Sequence, residues 1–177
     1  VLSNAAIDAW REAGSVIYND FDDRILAIRM LVKDLSNRDI GVHLVSAYAP
    51  IGTADSNLWD TFLKNMEKCI ECKRTSDILV IGCDCNSSMG ANNKSRGVGN
   101  IMQSIGRFGI KHQNSAGIRL FAFLETNNLV ATTTYFQKKC YATWSHPRSK
   151  LPHQIDHILT KKTTFCRLVD AGVVKFL

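Results

Sequence analysis

One feature constrains the fold of this chain more than any other. The uninterrupted apolar run Ile78-Leu79-Val80-Ile81-Gly82 follows directly on a stretch with helical period. A short β-branched run without alternation has the pattern of a central strand covered on both faces. In the stretch before it, from Asn57 to Cys72, the residues Leu58, Trp59, Phe62, Leu63, Met66, Cys69 and Ile70 recur every three or four positions. They make one broad apolar stripe, the mark of a helix packed on a core. Asp55, Ser56 or Asn57 can cap its first turn, and Asp60 suits the positive end of its dipole.

The flanking segments are mostly strand-like. Val16-Ile17-Tyr18 is a short apolar run, and Arg24 to Val32 alternates, with Leu26, Ile28, Met30 and Val32 on one side. Ser36-Asn37 marks a turn. From Ile40 to Tyr48, Ile40, Val42, Leu44 and Ser46 face one way and His43, Val45 and Ala47 the other, until Pro50 stops the ladder. Ser87 to Ser115, rich in Gly, Asn and Ser and carrying Lys94 and Arg96, reads as a long surface loop. Asn114 to Leu124 is a second helix, with Leu120, Phe121 and Leu124 inward. Leu129–Phe136, Tyr141–Ser145, Gln154–Thr160 and Cys166–Val174 are expected strands. Many strands with few helices argue for α/β layers rather than a bundle.

At 177 residues the chain is expected to be one domain, and 45% apolar residues are enough for a core. No apolar run approaches the roughly 20 residues of a membrane-spanning helix, so no membrane partner is expected. The net charge of +6 permits a polyanionic partner without requiring one. The first residues, with Asp8 and no basic start, do not read as a signal peptide, so the six cysteines are expected to be free thiols.

Four segments can carry chemistry. Cys83-Asp84-Cys85-Asn86 lies where the buried strand ends, at the edge where α/β sheets hold ligands. Asp84 can bind a hard cation or orient water, and Asn86 can hydrogen-bond a phosphate oxygen; the same two residues also suit a plain turn. In Gln154-Ile155-Asp156-His157-Ile158-Leu159, Asp156 falls among apolar strand neighbours, on the face opposite His157. It needs a partner or an exposed edge. Tyr48 ends a strand before Ala49-Pro50 and can offer its hydroxyl to a phosphate, or simply place it in water. Thr143-Trp144-Ser145, followed by His146-Pro147-Arg148-Ser149-Lys150, combines a hydroxyl, an aromatic plane and two cations, which suits a phosphate backbone and an unstacked base. Taken alone, Trp144 reads as a core residue. Cys69-x-x-Cys72 and Cys83-x-Cys85, with His112, His146 and His153 available, raise a zinc site. Cys69 on the inward stripe, and Cys83 and Cys85 pointing away from Asp84, favour buried thiols instead.

The order of these segments is more specific than any one of them. Ser46-Ala47-Tyr48-Ala49-Pro50, a helix, Ile78 to Asn86, Asn114-x-x-Gly117-x-x-Leu120-x-x-Phe123, Thr143-Trp144 and Gln154 to Leu159 follow in turn. From about Val16 onward the chain resembles the endonuclease/exonuclease/phosphatase family. Within it, the chain is most similar to the apurinic-type endonuclease domain of non-LTR retrotransposons and to craniofacial-development-protein-like host relatives. The resemblance implies a deoxyribonuclease-I-like α/β fold: a four-layer sandwich of two packed mixed β-sheets with helices outside. It implies a Mg²⁺- or Mn²⁺-dependent DNA endonuclease without an organic cofactor. Tyr48 would contact the scissile phosphate. Asp84 would bind metal or activate water, and Asn86 would orient the nucleophile or phosphate. Asp156 would pair with a catalytic histidine. Thr143, with Trp144 and Arg148, would contact the substrate. A nuclear location and a reverse transcriptase domain in the parent protein also follow from the resemblance alone.

The chain departs from the family pattern in places. Glu12 is not the family's strand-end metal glutamate, and no Ser-Asp-His follows the last strand. Cys83 replaces a usual glycine, and Ile51 a frequent asparagine. The expectation is an interior fragment of the domain, spanning residues 1–177 and nearly inactive alone. Two alternatives remain: a non-catalytic descendant that binds nucleic acid or protein, and a phosphatase of the same fold.

Overall fold

The structure, a computed structural model, describes residues 2–91 and 102–173. Lys94 and Arg96 of the expected loop, and the end of the apolar stretch at 174–177, lie outside the described residues. In chain order the elements are α1 (Asn4–Glu12), β1 (Ile17–Asp22), β2 (Ile25–Lys33), β3 (Asp39–Tyr48), α2 (Ser56–Glu71), β4 (Ile78–Asp84), α3 (Ser115–Thr126), β5 (Leu129–Ala131), β6 (Trp144–Ser145), β7 (Pro152–His153) and β8 (Asp156–Lys161). Six strands form one mixed sheet, ordered β1-β2-β3-β4-β8-β5. Only β3 and β4 run parallel, with α2 as their crossover. β6 and β7 make a second, two-stranded sheet. This is the α/β architecture expected, with a mixed sheet, a second smaller sheet and helices outside.

The helices form where caps and stripes coincide. Asp55 caps α2 by accepting from the Asn57 N–H at 2.7 Å. That helix buries Trp59, Phe62, Met66, Cys69 and Ile70. Asn114 caps α3, which buries Ala116, Gly117, Leu120 and Leu124. Both stripes join one core with Ile25, Ala27, Val45, Leu79, Ile81 and Leu159 on one sheet face. No helix among the described residues is long and apolar enough to cross a membrane.

Four expectations are corrected. On β2 the alternation is as read, but the deeply buried side is Ile25, Ala27 and Arg29; Leu26 and Val32 are exposed. Small Ala27 admits close packing, and Arg29 is buried because it pairs with Asp77 through hydrogen bonds of 2.8 and 3.1 Å. β4 is central, yet only Leu79, Ile81 and Cys83 are deeply buried, while Ile78 and Val80 are half-buried and Gly82 is exposed. The expected strand from Leu129 stops at Ala131, because Thr132–Thr134 turn into a 3-10 helix. Their hydroxyls explain it: Thr134 Oγ1 donates to the Ala131 carbonyl, and Thr132 Oγ1 to that of Ile158. Of the expected strand Cys166–Val174, Cys166 and Arg167 end a 3-10 helix, Lys162–Arg167, and residues 168–173 are irregular. α1, capped by Ser3, was not anticipated.

Candidate active site

The candidate residues meet because of strand register. Tyr48 on β3 pairs with Asp84 on β4, and Asp84 pairs with Asp156 on β8. The three therefore form a row across adjacent strands, on the less buried sheet face. The strand ends are laced together beneath the row: the Ala49 N–H donates to the Asp84 carbonyl at 2.8 Å, and the Cys85 N–H to that of Ile155 at 2.7 Å.

Two half-buried carboxylates now stand opposite each other. Desolvation raises the pKa of Asp84 above the ordinary carboxylate value. The Asn86 N–H, donating to Asp84 Oδ1 at 3.0 Å, opposes that rise, and the charge of Asp156 adds to it. Asn86 adopts the left-handed region, with φ of 43°, and its Nδ2 donates to the Ala49 carbonyl at 2.8 Å. The turn suggested by the sequence is therefore real, and it fixes Asn86 beside Asp84.

Thr143 is tied to the same row. Its Oγ1 accepts from the Ile155 N–H at 3.0 Å and the Asp156 N–H at 3.1 Å. The hydroxyl proton is left for another acceptor. Asp84, Asp156, Thr143 and Cys140 line a cavity of about 800 Å³. Tyr48, Asp84, Asn86, Trp144 and His153 line an adjoining one of about 410 Å³. Trp144 is 41% exposed rather than in the core, with its ring against His146 and His153. Arg148 is not brought in: it is exposed and lines neither cavity, and its backbone N–H closes a turn onto His146 Nδ1.

His157 faces the core side, opposite Asp156. Burial lowers its pKa to about 4, and its Nδ1 meets Thr133 Oγ1 at 2.9 Å. It cannot serve as the partner of Asp156. The cysteines are free thiols, with Cys69, Cys83 and Cys85 buried. Among the described residues, no group of three or more His, Cys, Asp or Glu side chains is placed to hold a metal ion.

Two contributors were missed from sequence. Arg24, in the β1–β2 turn, sets its guanidinium 5.5 Å from the centre of the Tyr48 ring and donates to the Tyr48 carbonyl at 3.5 Å. Its position beside Tyr48 depends on pairing 24 residues apart, which no local signal carries. His153 lines the smaller cavity, although in the sequence it stood out only as a zinc candidate. The motif Asn114-x-x-Gly117 also finds a physical cause. Asn114 Oδ1 accepts from the N–H groups of Gly117 and Ser88, and a Cβ at Gly117 would overlap the Ser88 carbonyl oxygen. The motif docks α3 onto the segment just after Asn86.

No family model matches the chain. It is 29% identical over 144 residues to craniofacial development protein 2 of Bos taurus, and 28% identical over 144 residues to that of Tragulus javanicus. Each match covers 80% of this chain, but the chain spans only 22% and 23% of those relatives. Among solved structures, it is similar to the endonuclease domain of TRAS1, a telomere-specific non-LTR retrotransposon. That match has a TM-score of 0.55 and 14% identity, covering 85% of this chain and 57% of the other. It is also similar to the catalytic domain of Xenopus laevis APE2, with a TM-score of 0.53 and 13% identity, covering 81% and 48%. The chain has the deoxyribonuclease-I-like fold of the endonuclease/exonuclease/phosphatase family.

Proposed function

We propose that this chain carries phosphodiester-binding residues of a metal-dependent DNA endonuclease site of the retroelement type. The observation that carries the reading is the row Tyr48–Asp84–Asp156, set by the pairing of three adjacent strands and backed by Asn86 and Thr143. The likeness in fold to the endonuclease domain of TRAS1 supports a nucleic-acid substrate.

The residues present suit a hard divalent cation. Mg²⁺ binds through one or two carboxylates and keeps waters and phosphate oxygens as its other ligands. Asp84, facing Asp156, would hold it; a cation there neutralises charge on the phosphate and activates water. The chain's own groups divide the remaining work. Tyr48 offers a hydroxyl to the phosphate, under the positive charge of Arg24. Asn86, its amide fixed by Ala49, sets the position of an oxygen beside Asp84. Thr143 holds the Asp156 backbone and keeps one hydroxyl proton free for the substrate.

The test is nicking of supercoiled plasmid DNA with Mg²⁺, using a protein that contains these residues. Nicking should fall by several orders of magnitude in Asp84→Asn. Activity unchanged in both Asp84→Asn and Asp156→Asn refutes the reading. One observation favours a second reading, a DNA-binding relative without catalysis: no three-donor metal group exists among the described residues. Binding that weakens steeply with salt, without nicking, would decide for it.

A further inference from the structure

The five histidines differ in what their rings can still do. His43 is buried in the core against Tyr18. His157 is buried and bonded to Thr133. The Nδ1 of His146 accepts two N–H groups of its own turn, from Arg148 and Ser149. His112 lines neither of the two site cavities. His153 combines what the others lack: it lines the 410 Å³ cavity with Tyr48, Asp84 and Asn86, and neither ring nitrogen makes a hydrogen bond among the described residues.

The ring of His153 is also held. Trp144 lies 5.4 Å from its centre at 51°, and His112 lies 6.2 Å away at 82°. The backbone of His153 is joined directly to the site, because its carbonyl accepts the Thr143 N–H at 2.9 Å and Thr143 Oγ1 anchors Asp156. The imidazole thus shares with a carboxylate, an amide and a phenol the lining of a cavity large enough for part of a nucleotide. Orientation by ring packing, rather than by an internal hydrogen bond, leaves both nitrogens to a ligand.

We infer that His153 is a substrate-contacting residue of this site, donating from its imidazole to a non-bridging oxygen of a phosphodiester seated between it and Tyr48 and Asn86. This rests on the reading of the site as one for phosphodiesters. It goes beyond that reading by adding an imidazole, carried on the β6–β7 hairpin, to the groups that would touch the substrate.

The experiment is a titration of the unmodified protein with a short duplex DNA without divalent metal, followed through the imidazole resonances of His153 and the side-chain amide of Asn86. Both should shift together. His153→Gln should weaken DNA binding about tenfold at low salt. A shift at Asn86 with His153 unmoved overturns this inference and leaves the proposed function standing. No shift at either residue overturns both. The wild-type readout does not depend on whether a variant folds.

Discussion

The Arg29–Asp77 pair is the feature of this fold that a single methyl group should break. Arg29 and Asp77 are 7% and 4% exposed, and they meet through two charge-assisted hydrogen bonds of 2.8 and 3.1 Å. The pair passes over β3 at Gly41, where a Cβ would overlap Asp77 Oδ1 and stand 2.6 Å from Arg29 Nη2. Removing one partner of a buried pair costs about 3–5 kcal/mol, since the other charge stays desolvated. Asp77→Ala should therefore lose about 3–5 kcal/mol, a large part of the roughly 5–15 kcal/mol of a typical domain. Gly41→Ala should lose a similar amount by forcing the carboxylate aside, although alanine in a strand is ordinarily the better residue by about 0.5–1 kcal/mol. The two losses should not add. Once Asp77 is alanine, the obstruction at position 41 is only the end of a flexible arginine, so the double variant should resemble Asp77→Ala. Urea unfolding followed by circular dichroism, at unchanged m-value, measures all three. Strictly additive losses, or a loss below about 1 kcal/mol in Asp77→Ala, would show that the pair does not hold β2 to the base of β4.

Three further outcomes are expected. His157 titrates at about 4 when folded, against 6.5 ordinarily, so it favours the fold above pH 6.5 and that contribution is lost as pH falls towards 4. The acid-side slope of stability should flatten in His157→Asn, and an unchanged slope across a pH series of urea titrations refutes the assignment. Gly117→Ala should destabilise by about 1–3 kcal/mol, against the usual gain of glycine replacement in a helix, because α3 rests on the Ser88 carbonyl there; a raised Tm would contradict this. Thr143→Val should speed amide exchange at Ile155 and Asp156 while Thr143→Ser preserves it, and equal exchange in both variants would mean that the hydroxyl does not anchor the strand.

Legibility in the sequence followed range. The cap at Asp55, the α2 stripe, the β4 run and the stop at Pro50 are set by neighbours a few residues apart, and the periods reveal them. The site row was legible because Tyr48, Asp84 and Asp156 each sit at a strand end that their own segment marks. What was misread depends on partners far along the chain. Both sides of β2 are largely apolar, so its pattern could not say which face α2 would cover, and Arg29 looked like the solvent side until Asp77, 48 residues on, was placed beside it. Arg24 and His153 were passed over as site groups for the same reason: each reaches the site through a neighbour in space. The threonines at 132–134 were read by β propensity, whereas their hydroxyls bond to nearby backbone and bend it.

The chemistry of one sheet face is fixed by the packing of the other. Side chains alternate along a strand, so Tyr48, Asp84 and Asp156 are each one position away from a residue of the opposite face: Ala47, Cys83 and His157. Those three are buried, and Ala47 and Cys83 belong to the core. A slip of one residue in β4 would carry Asp84 into that core and expose Cys83, adding an unpaired buried carboxylate to the lost apolar burial. The opposition of Asp84 and Asp156 is an unfavourable contact in itself, since like charges face each other across the ladder. It persists because register is set beneath it by Leu79, Ile81 and Leu159. The core thus holds two carboxylates at facing positions of the ladder, and under the proposed function a bound cation would offset their repulsion.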